Sequence, residues 1–191
     1  MSSYFANAGL MLIQFAFGAI VALLILRMLA EAVRADFYNP ICQFLYRCTN
    51  PVLTPLKRAI PNFRRINIAA LLLAWLAETI KNLLEYLTVG LRPALPGLLL
   101  LGVADLLDFL AVLYLLMILA WALLSFVTLD ARHPLTPLLG RLVEPVLRPF
   151  RRLLPAPGGL DLSPMVAMLV ILVLRILIVA PLLDLGHRLS L

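Results

Sequence analysis

The sequence predicts an all-α membrane protein with four transmembrane helices, arranged as two parallel-repeat helical hairpins with amphipathic interfacial helices in the cytoplasmic connections. The first observation is composition. Of 191 residues, 63% are hydrophobic and 14% are charged, whereas a soluble domain is about half apolar and about a quarter charged. The second observation is that the chain contains four long apolar stretches. The third is that the polar segment between the first two stretches resembles the polar segment between the last two. A water-soluble globule is excluded, and 1–191 is predicted to be a single membrane domain.

The apolar stretches cover about 8–30, 68–89, 103–127 and 164–184. Each is long enough for a helix to cross about 30 Å of hydrocarbon, and only a helix satisfies the backbone of one segment within lipid. The first stretch lacks a basic leader region, so it is predicted to be a span and not a cleaved signal. Residues 94–103 include Pro96 and Gly97 and are predicted to form a connection into the third span.

The polar segments, at about 31–67 and 128–163, form an internal repeat. A shift of 94 residues aligns them without a gap, with ten identical positions, four of them prolines. Because proline fixes φ and lacks an N–H, matched prolines indicate one backbone path built twice. The first repeat is predicted to cover 1–93 and the second 94–191. The repeated turn positions are Asn39, Pro40, Pro51, Pro55 and Pro61, and then Pro134, Pro145, Pro149, Pro155 and Asp161.

Positive charge predicts the orientation of the chain. Each repeat contains two spans, so both polar segments lie on one side of the membrane and the repeats are parallel. These segments hold eleven of the sixteen Lys and Arg residues, whereas the other side has only Arg92 and Arg188. The positive-inside rule therefore places both segments in the cytoplasm and both termini outside.

Each connection is predicted to contain two short helices. The first begins at an N-cap followed by proline, Asn39-Pro40 or His133-Pro134, and is expected to stop at Pro51 or Pro145. The second has an apolar stripe at four-residue spacing beside basic residues, as expected of a helix in the headgroup plane against anionic lipid. The alternative is a polar loop whose charges only set topology. The predicted lipid-facing basic residues are Lys57, Arg58, Arg148, Arg151 and Arg152.

These residues carry a resemblance to a known family. The runs NPVLTPLKRAIP at 50–61 and EPVLRPFRRLLP at 144–155, followed by Gly159-Leu160-Asp161, resemble the YggT family of small membrane proteins in its two-repeat bacterial form. The resemblance covers essentially the whole chain. It implies a location in the bacterial inner membrane, which makes both termini periplasmic. Asn67 stands where the second copy has Asp161, so the Gly-x-Asp turn is expected in that copy alone.

The resemblance implies no reaction, since the family has no established biochemical function. Its relatives have been associated with cytochrome maturation in plastids, with division and chromosome distribution, and with osmotic tolerance. We expect a non-catalytic assembly or organising factor for other membrane proteins; the alternative is an ion or osmotic-stress permeation component. The expected partners are the lipid bilayer, anionic lipids at the cytoplasmic face and other membrane proteins. The sequence leaves open whether the chain forms a homo-oligomer.

Six ionisable residues within or at the edge of the predicted spans form the main candidate site, because charge in hydrocarbon is costly and by default suggests function. They are Glu78, Lys81, Glu85, Asp105, Asp108 and Arg175. The repeat offset carries Lys81 onto Arg175, so both copies place a cation at one depth. Arg175 has no acidic neighbour one turn away on its own helix, so its partner is expected from spans two and three. The candidates are Glu78, which is the first choice, Glu85, Asp105 and Asp108. Arg27 is expected to reach the cytoplasmic surface by snorkelling.

Three interpretations of this cluster stay open: a structural lock between the repeats, a hydrated cavity that conducts or senses ions, and a binding site for another membrane helix. No catalytic, cofactor-binding or metal-binding residue is predicted. The sequence contains no Gly-rich phosphate loop and no G-x-S-x-G, and Cys42 and Cys48 are too far apart on one helix for a disulfide. No nucleic-acid partner is expected, because no aromatic stacking platform accompanies the basic residues.

Overall fold

The computed structural model describes residues 2–63, 65–126, 134–153 and 161–190. Seven α-helices occupy these residues: α1 (Ser2–Ala32), α2 (Pro40–Ala59), α3 (Ile68–Thr88), α4 (Leu95–Phe126), α5 (Leu135–Leu153), α6 (Ser163–Leu174) and α7 (Ala180–Ser190). A π-helical turn at Arg175–Val179 joins α6 to α7 in one continuous rod. The predicted turn position Pro155, the predicted N-cap His133 and Gly159 of the predicted Gly-x-Asp turn lie outside the described residues.

Three helical stretches are long and apolar enough to cross a membrane, namely Asn7–Ala32, Leu95–Leu124 and Ser163–Ser190. The helix α3 has 21 residues, which is about 31 Å at about 1.5 Å per residue. Its length therefore also matches a bilayer, but Glu78, Lys81 and Glu85 give it a higher density of charged residues than the other three. Within the described residues, length and composition support the first, third and fourth predicted spans.

The helix α4 begins at Leu95, so the prediction of a connection through 94–103 is wrong. Pro96 and Gly97 belong to its first turn. Proline is tolerated there because the first N–H groups of a helix have no partner within it. The connection from α3 is shorter, Val89 to Ala94, and turns at Gly90, whose φ of +76° suits glycine.

The helices α2 and α5 each run through two prolines, so the prediction that each connection holds two short helices is also wrong. Pro51 and Pro55 are four residues apart and both are exposed. The carbonyl groups that lose a donor, those of Arg47 and Pro51, therefore face away from the bundle, where other donors can reach them. Buried residues on the opposite face, Leu45 and Leu53, hold the helix in place.

Helix packing pairs α1 with α3, and α4 with α6 and α7, while α3 against α4 joins the two repeats. Glycines allow close approach at two of these contacts. A Cβ atom at Gly102 of α4 would overlap the hydroxyl of Thr79 on α3, and one at Gly97 would overlap Ser190. The indole N–H of Trp75 donates to the carbonyl of Leu99 at 3.1 Å across the α3–α4 contact.

The entrances to α2 and α5 meet at one end of the bundle, named here the basic end. Asn39 caps α2, as predicted, by accepting the N–H of Ile41 at 2.9 Å. Its amide also donates to the carbonyl of Pro134 at 2.6 Å, and Arg141 donates to the carbonyl of Arg34 at 3.1 Å. The two connections are thus joined directly to each other.

Candidate functional site

Lys81 on α3 lies at the centre of a polar network between the two repeats. Its ammonium contacts the carboxylate of Glu78, one turn earlier on α3, and lies 3.5 Å from Oδ2 of Asp105 on α4. Asn82 donates to the same Asp105 oxygen at 2.7 Å. Because α3 belongs to the first repeat and α4 to the second, this network links the two copies. Asn82 was not among the predicted site residues.

Arg175 binds Asp108 and not Glu78, which corrects the expected partner. Its Nε lies 2.7 Å from Oδ1 and its Nη2 lies 2.9 Å from Oδ2, a two-bonded arrangement. Asp108 is on α4, which packs directly against α6 and α7. Glu78 forms its ion pair with Lys81 instead. The Arg175 pair therefore joins helices within the second repeat, and both side chains remain about one-third exposed on its surface.

The repeat relation explains why the two matched cations have different partners. The offset of 94 that carries Lys81 onto Arg175 also carries Gln14 onto Asp108. Gln14 has no charge to offer, so Lys81 takes its carboxylates from α3 itself and from the second repeat. Lys81 therefore connects the two repeats, whereas Arg175, at the equivalent position, pairs within the second repeat.

A polar cavity of about 380 Å³ adjoins Lys81. At about 30 Å³ per water molecule it has room for about ten waters. The cavity contains one ammonium, that of Lys81, and three carboxylates, those of Glu78, Glu85 and Asp105. This excess of negative charge favours cations over anions in the cavity. The cavity is lined by Gln14, Gly18, Glu78, Lys81, Asn82, Glu85, Leu101, Asp105, Phe109 and His187.

Glu31 is the centre of a second network, which the sequence analysis missed. Its carboxylate accepts hydrogen bonds from Arg27 at 2.8 Å, Lys57 at 2.9 Å and Asn67 at 3.0 Å. The guanidinium of Arg27 is 3% exposed and stacks 3.1 Å above the ring centre of Tyr46. Arg27 is therefore buried and does not snorkel to the surface. The spacing of four between Arg27 and Glu31 was the signal available in the sequence.

The second repeat builds the corresponding junction with its carboxylate in a different place. Positions 57 and 67 correspond to Arg151 and Asp161. Arg151 pairs with Asp161 at 2.9 Å and with Glu144 at 2.6 Å, and Asp161 also accepts the N–H of Ser163 at 2.9 Å, at the start of α6. Partial burial disfavours the charged carboxylate, but the hydrogen bonds from Ser163 and Arg151 outweigh it and hold the pKa of Asp161 below its ordinary value.

The basic residues predicted to face lipid divide into two groups. Lys57 and Arg151 are turned toward carboxylates of the protein, which corrects that expectation for both. Arg58, Arg148 and Arg152 are exposed and form no ion pair among the described residues. Exposed arginines without a carboxylate partner are free to bind anions from outside the chain.

The thiols of α2 differ in environment. Cys42 is buried and Cys48 is exposed, and both are free. Burial, with the nearby charge of Asp36, raises the pKa of the Cys42 thiol. In the described ranges, no three His, Cys, Asp or Glu side chains are grouped so that they could hold a metal ion.

Comparison with known proteins gives the same two-copy organisation. The CCB3/YggT family model matches residues 6–88 and again residues 100–182. An uncharacterized protein YggT of Escherichia coli K12 is 38% identical over 152 residues, 80% of this chain and 79% of the relative. An uncharacterized protein of Pseudomonas aeruginosa is 35% identical over 176 residues, 91% of this chain and 89% of the relative. No solved structure matches. The chain belongs to the CCB3/YggT family and carries the family's repeat twice.

Proposed function

We propose that the protein is a non-catalytic, four-span membrane protein of the bacterial inner membrane, whose basic end holds and organises other membrane proteins. In this arrangement both termini are periplasmic and the basic end is cytoplasmic. The observation that carries the proposal is the direct joining of the two connections at the entrances to α2 and α5, through Asn39 to Pro134 and Arg141 to Arg34. Two amphipathic helices that begin from joined connections present their exposed faces beside the bilayer in this proposal.

The remaining span of this proposal is α3, the second in chain order. The distribution of its side chains supports this assignment. Glu78 and Asn82 are buried against the bundle, at 3% and 7% exposure, and Lys81 is paired there. The exposed stripe of α3 is apolar and includes Leu72, Leu76 and Ile80, each four residues from the next. A helix with polar groups inward and apolar groups outward suits lipid despite its charges.

The helix α2 presents two kinds of exposed surface that suit an organising role. Phe44 and Val52 are each more than half exposed and lie on one stripe, beside Arg47 and Arg58 on another. At the headgroup level the apolar stripe enters the bilayer, and the basic stripe faces anionic headgroups or acidic segments of a partner.

Affinity purification from gently solubilised membranes tests this role. We expect a defined set of membrane proteins to be recovered with the full chain, and to be depleted by the double variant Arg58→Gln, Arg152→Gln. The matched control is Arg92→Gln, Arg188→Gln, which removes two charges at the opposite end and should leave recovery unchanged. Recovery no greater than with an unrelated four-span protein would contradict the organising role.

The polar cavity favours a second candidate, an ion permeation component. Its lining of Glu85, Glu78, Asp105 and Lys81 could hold water and a cation between the repeats. Reconstitution into liposomes tests it: cation flux above that of empty liposomes, reduced by Glu85→Gln, would support permeation. Equal flux with and without the protein would reject it.

A further inference from the structure

A second, larger cavity lies at the basic end, in a groove between the end of α1 and the helices α4 and α5. Its volume is about 950 Å³, at the upper end of the range for ligand-binding pockets, about 300–1,000 Å³. It is bounded by Leu29 of α1 and the following Val33, by Tyr114 and Trp121 of α4, and by residues of α5. The groove is thus formed jointly by both repeats.

Three arginines, Arg65, Arg141 and Arg148, line this groove. Arg141 is fixed in place because its Nη1 donates to the carbonyl of Arg34, a residue with a φ of +51°. Among the described residues of the lining, the one carboxylate is that of Glu144, and it is paired with Arg151. The groove therefore carries a net positive charge, which complements a phosphodiester anion.

A separate apolar groove of about 270 Å³ adjoins the first and runs along α4 and α6 as far as Arg175. Tyr114 borders both, and the second is lined by aliphatic side chains such as Leu110, Val146 and Ile171. The two together have a basic region at the end of the bundle and an apolar region within it. This is the arrangement that an amphiphile requires, whereas a small soluble anion needs only the first part.

Two positions of the groove carry different side chains in the first repeat. The repeat offset relates Gly140 and Trp121 to Tyr46 and Arg27. In the first repeat the ring of Tyr46 lies under the Arg27 guanidinium. In the second, a Cβ atom at Gly140 would lie 3.0 Å from the Trp121 ring, so glycine lets the indole approach the backbone of α5.

We propose that this groove binds one anionic phospholipid, with its phosphate among Arg65, Arg141 and Arg148 and an acyl chain past Tyr114 along the apolar groove. The site rests on the proposed placement of the basic end at the cytoplasmic surface of the membrane. It differs from general attraction of lipid to surface charge, because it is a single position built by both repeats. A lipid held there would fill the gap between the copies.

Trp121 is a natural reporter for the site, since the chain has two tryptophans and Trp75 lies at the other contact, near Leu99. The full chain carrying Trp75→Phe is placed in phosphatidylcholine vesicles containing a minor fraction of phosphatidylglycerol. In each sample, either the phosphatidylglycerol or an equal fraction of the phosphatidylcholine carries bromine on its acyl chains, where it quenches tryptophan fluorescence. We expect brominated phosphatidylglycerol to quench Trp121 about threefold more than an equal fraction of brominated phosphatidylcholine, because the nearby arginines attract the anionic headgroup. In a Trp121→Phe chain, Trp75 should not distinguish the two lipids.

Two variants test which residues select the lipid. Arg141→Gln with Arg148→Gln should abolish the difference between the lipids, whereas Arg58→Gln with Arg152→Gln removes two exposed charges outside the groove and should preserve it. Arg65→Gln, in the short connection before α3, should reduce the difference even if the double variant folds poorly. Equal quenching by both lipids in the unmodified groove would overturn the proposal.

Competition identifies the source of the phosphate. Inorganic phosphate, or glycerol phosphate, that removes the quenching difference would indicate a soluble anion and would reject the lipid. A change of oligomeric state in the double variant, without any lipid selectivity in the parent, would instead assign the groove to a second copy of the chain. Cation flux and partner recovery are measured separately, so a failure here is distinguishable from a failure of the proposed function.

Discussion

Lys81 and Asp105 face each other across the boundary between the two repeats, with Nζ of one 3.5 Å from Oδ2 of the other. Glu78 and Asn82 complete the network from the α3 side. These contacts cross the packed α3–α4 interface, so their geometry helps to fix how the copies sit against each other. The close contact of Gly102 with Thr79 lies along the same pair of helices.

The Arg175 pair gives the first prediction. Arg175→Leu leaves Asp108 charged without its partner, and a charge at the centre of a bilayer costs about 2.5–3.5 kcal/mol. We expect a lower melting temperature in detergent, by about 2–4 °C per kcal/mol for a chain of this size. Adding Asp108→Leu should restore most of the loss, since two apolar groups then face lipid.

The control for that prediction is Arg175→Leu combined with Glu78→Leu. Because Glu78 contacts Lys81 and not Arg175, the second change should add to the loss. Rescue by Glu78→Leu, or no rescue by Asp108→Leu, would show that the pairing described here is wrong.

The second prediction concerns the contact between the repeats. Gly102→Leu would force a side chain into Thr79 and should cost about 1–3 kcal/mol through overpacking. Gly9→Leu is the matched control, because nothing lies within 4 Å of a Cβ atom there. Thermal unfolding followed by circular dichroism measures both; equal melting temperatures for the two variants would contradict close packing at Gly102.

The third prediction concerns Glu31. Its replacement by leucine leaves Arg27, which is 3% exposed, without a carboxylate. Breaking a buried pair in this way costs about 3–5 kcal/mol. The double variant Arg27→Met, Glu31→Leu should be more stable than Glu31→Leu alone. Glu85→Gln, which removes a carboxylate that has no ion pair among the described residues, is the control and should be mild.

The fourth prediction is a pH dependence at the start of α6. The pKa of Asp161 is lowered in the folded chain, so its stabilising contribution is present above the unfolded value of about 3.9. It is lost as the pH falls through the lowered pKa. The side chain is 42% exposed, so we expect less than about 1 kcal/mol. Asp161→Asn should reduce this part of the acid sensitivity; identical acid unfolding of the variant and the parent would contradict it.

The sequence predicted those features that depend on periodicity. The offset of 94 residues identified both copies, and the Asn39-Pro40 pair correctly located the start of α2. The prolines misled the analysis because their effect depends on the face they occupy. Pro51 and Pro55 lie on the exposed face, and that face is set by packing against α1 and α3.

Partner assignments were harder to predict for a different reason. Asp105 and Asp108 are three residues apart on α4, yet one is bound by α3 and the other by Arg175. Which acid meets which helix depends on the rotation and depth of α4, and these are set by the contacts of Gly97 and Gly102. Glu31 was not predicted because it lies at the border between an apolar and a polar segment. Its partners come from α1, from α2 and from the N-cap of α3.

The central claim is that four helices cross the membrane and that α3 is one of them. It is tested by labelling intact cells with an impermeant thiol reagent, using Cys42→Ala, Cys48→Ser chains with one new cysteine each. We expect Arg92→Cys and Arg188→Cys to be labelled from outside, and Asn50→Cys and Asn62→Cys to react only after permeabilisation. Asn62 and Arg92 flank α3, so labelling of both from the same side would contradict the four-span arrangement.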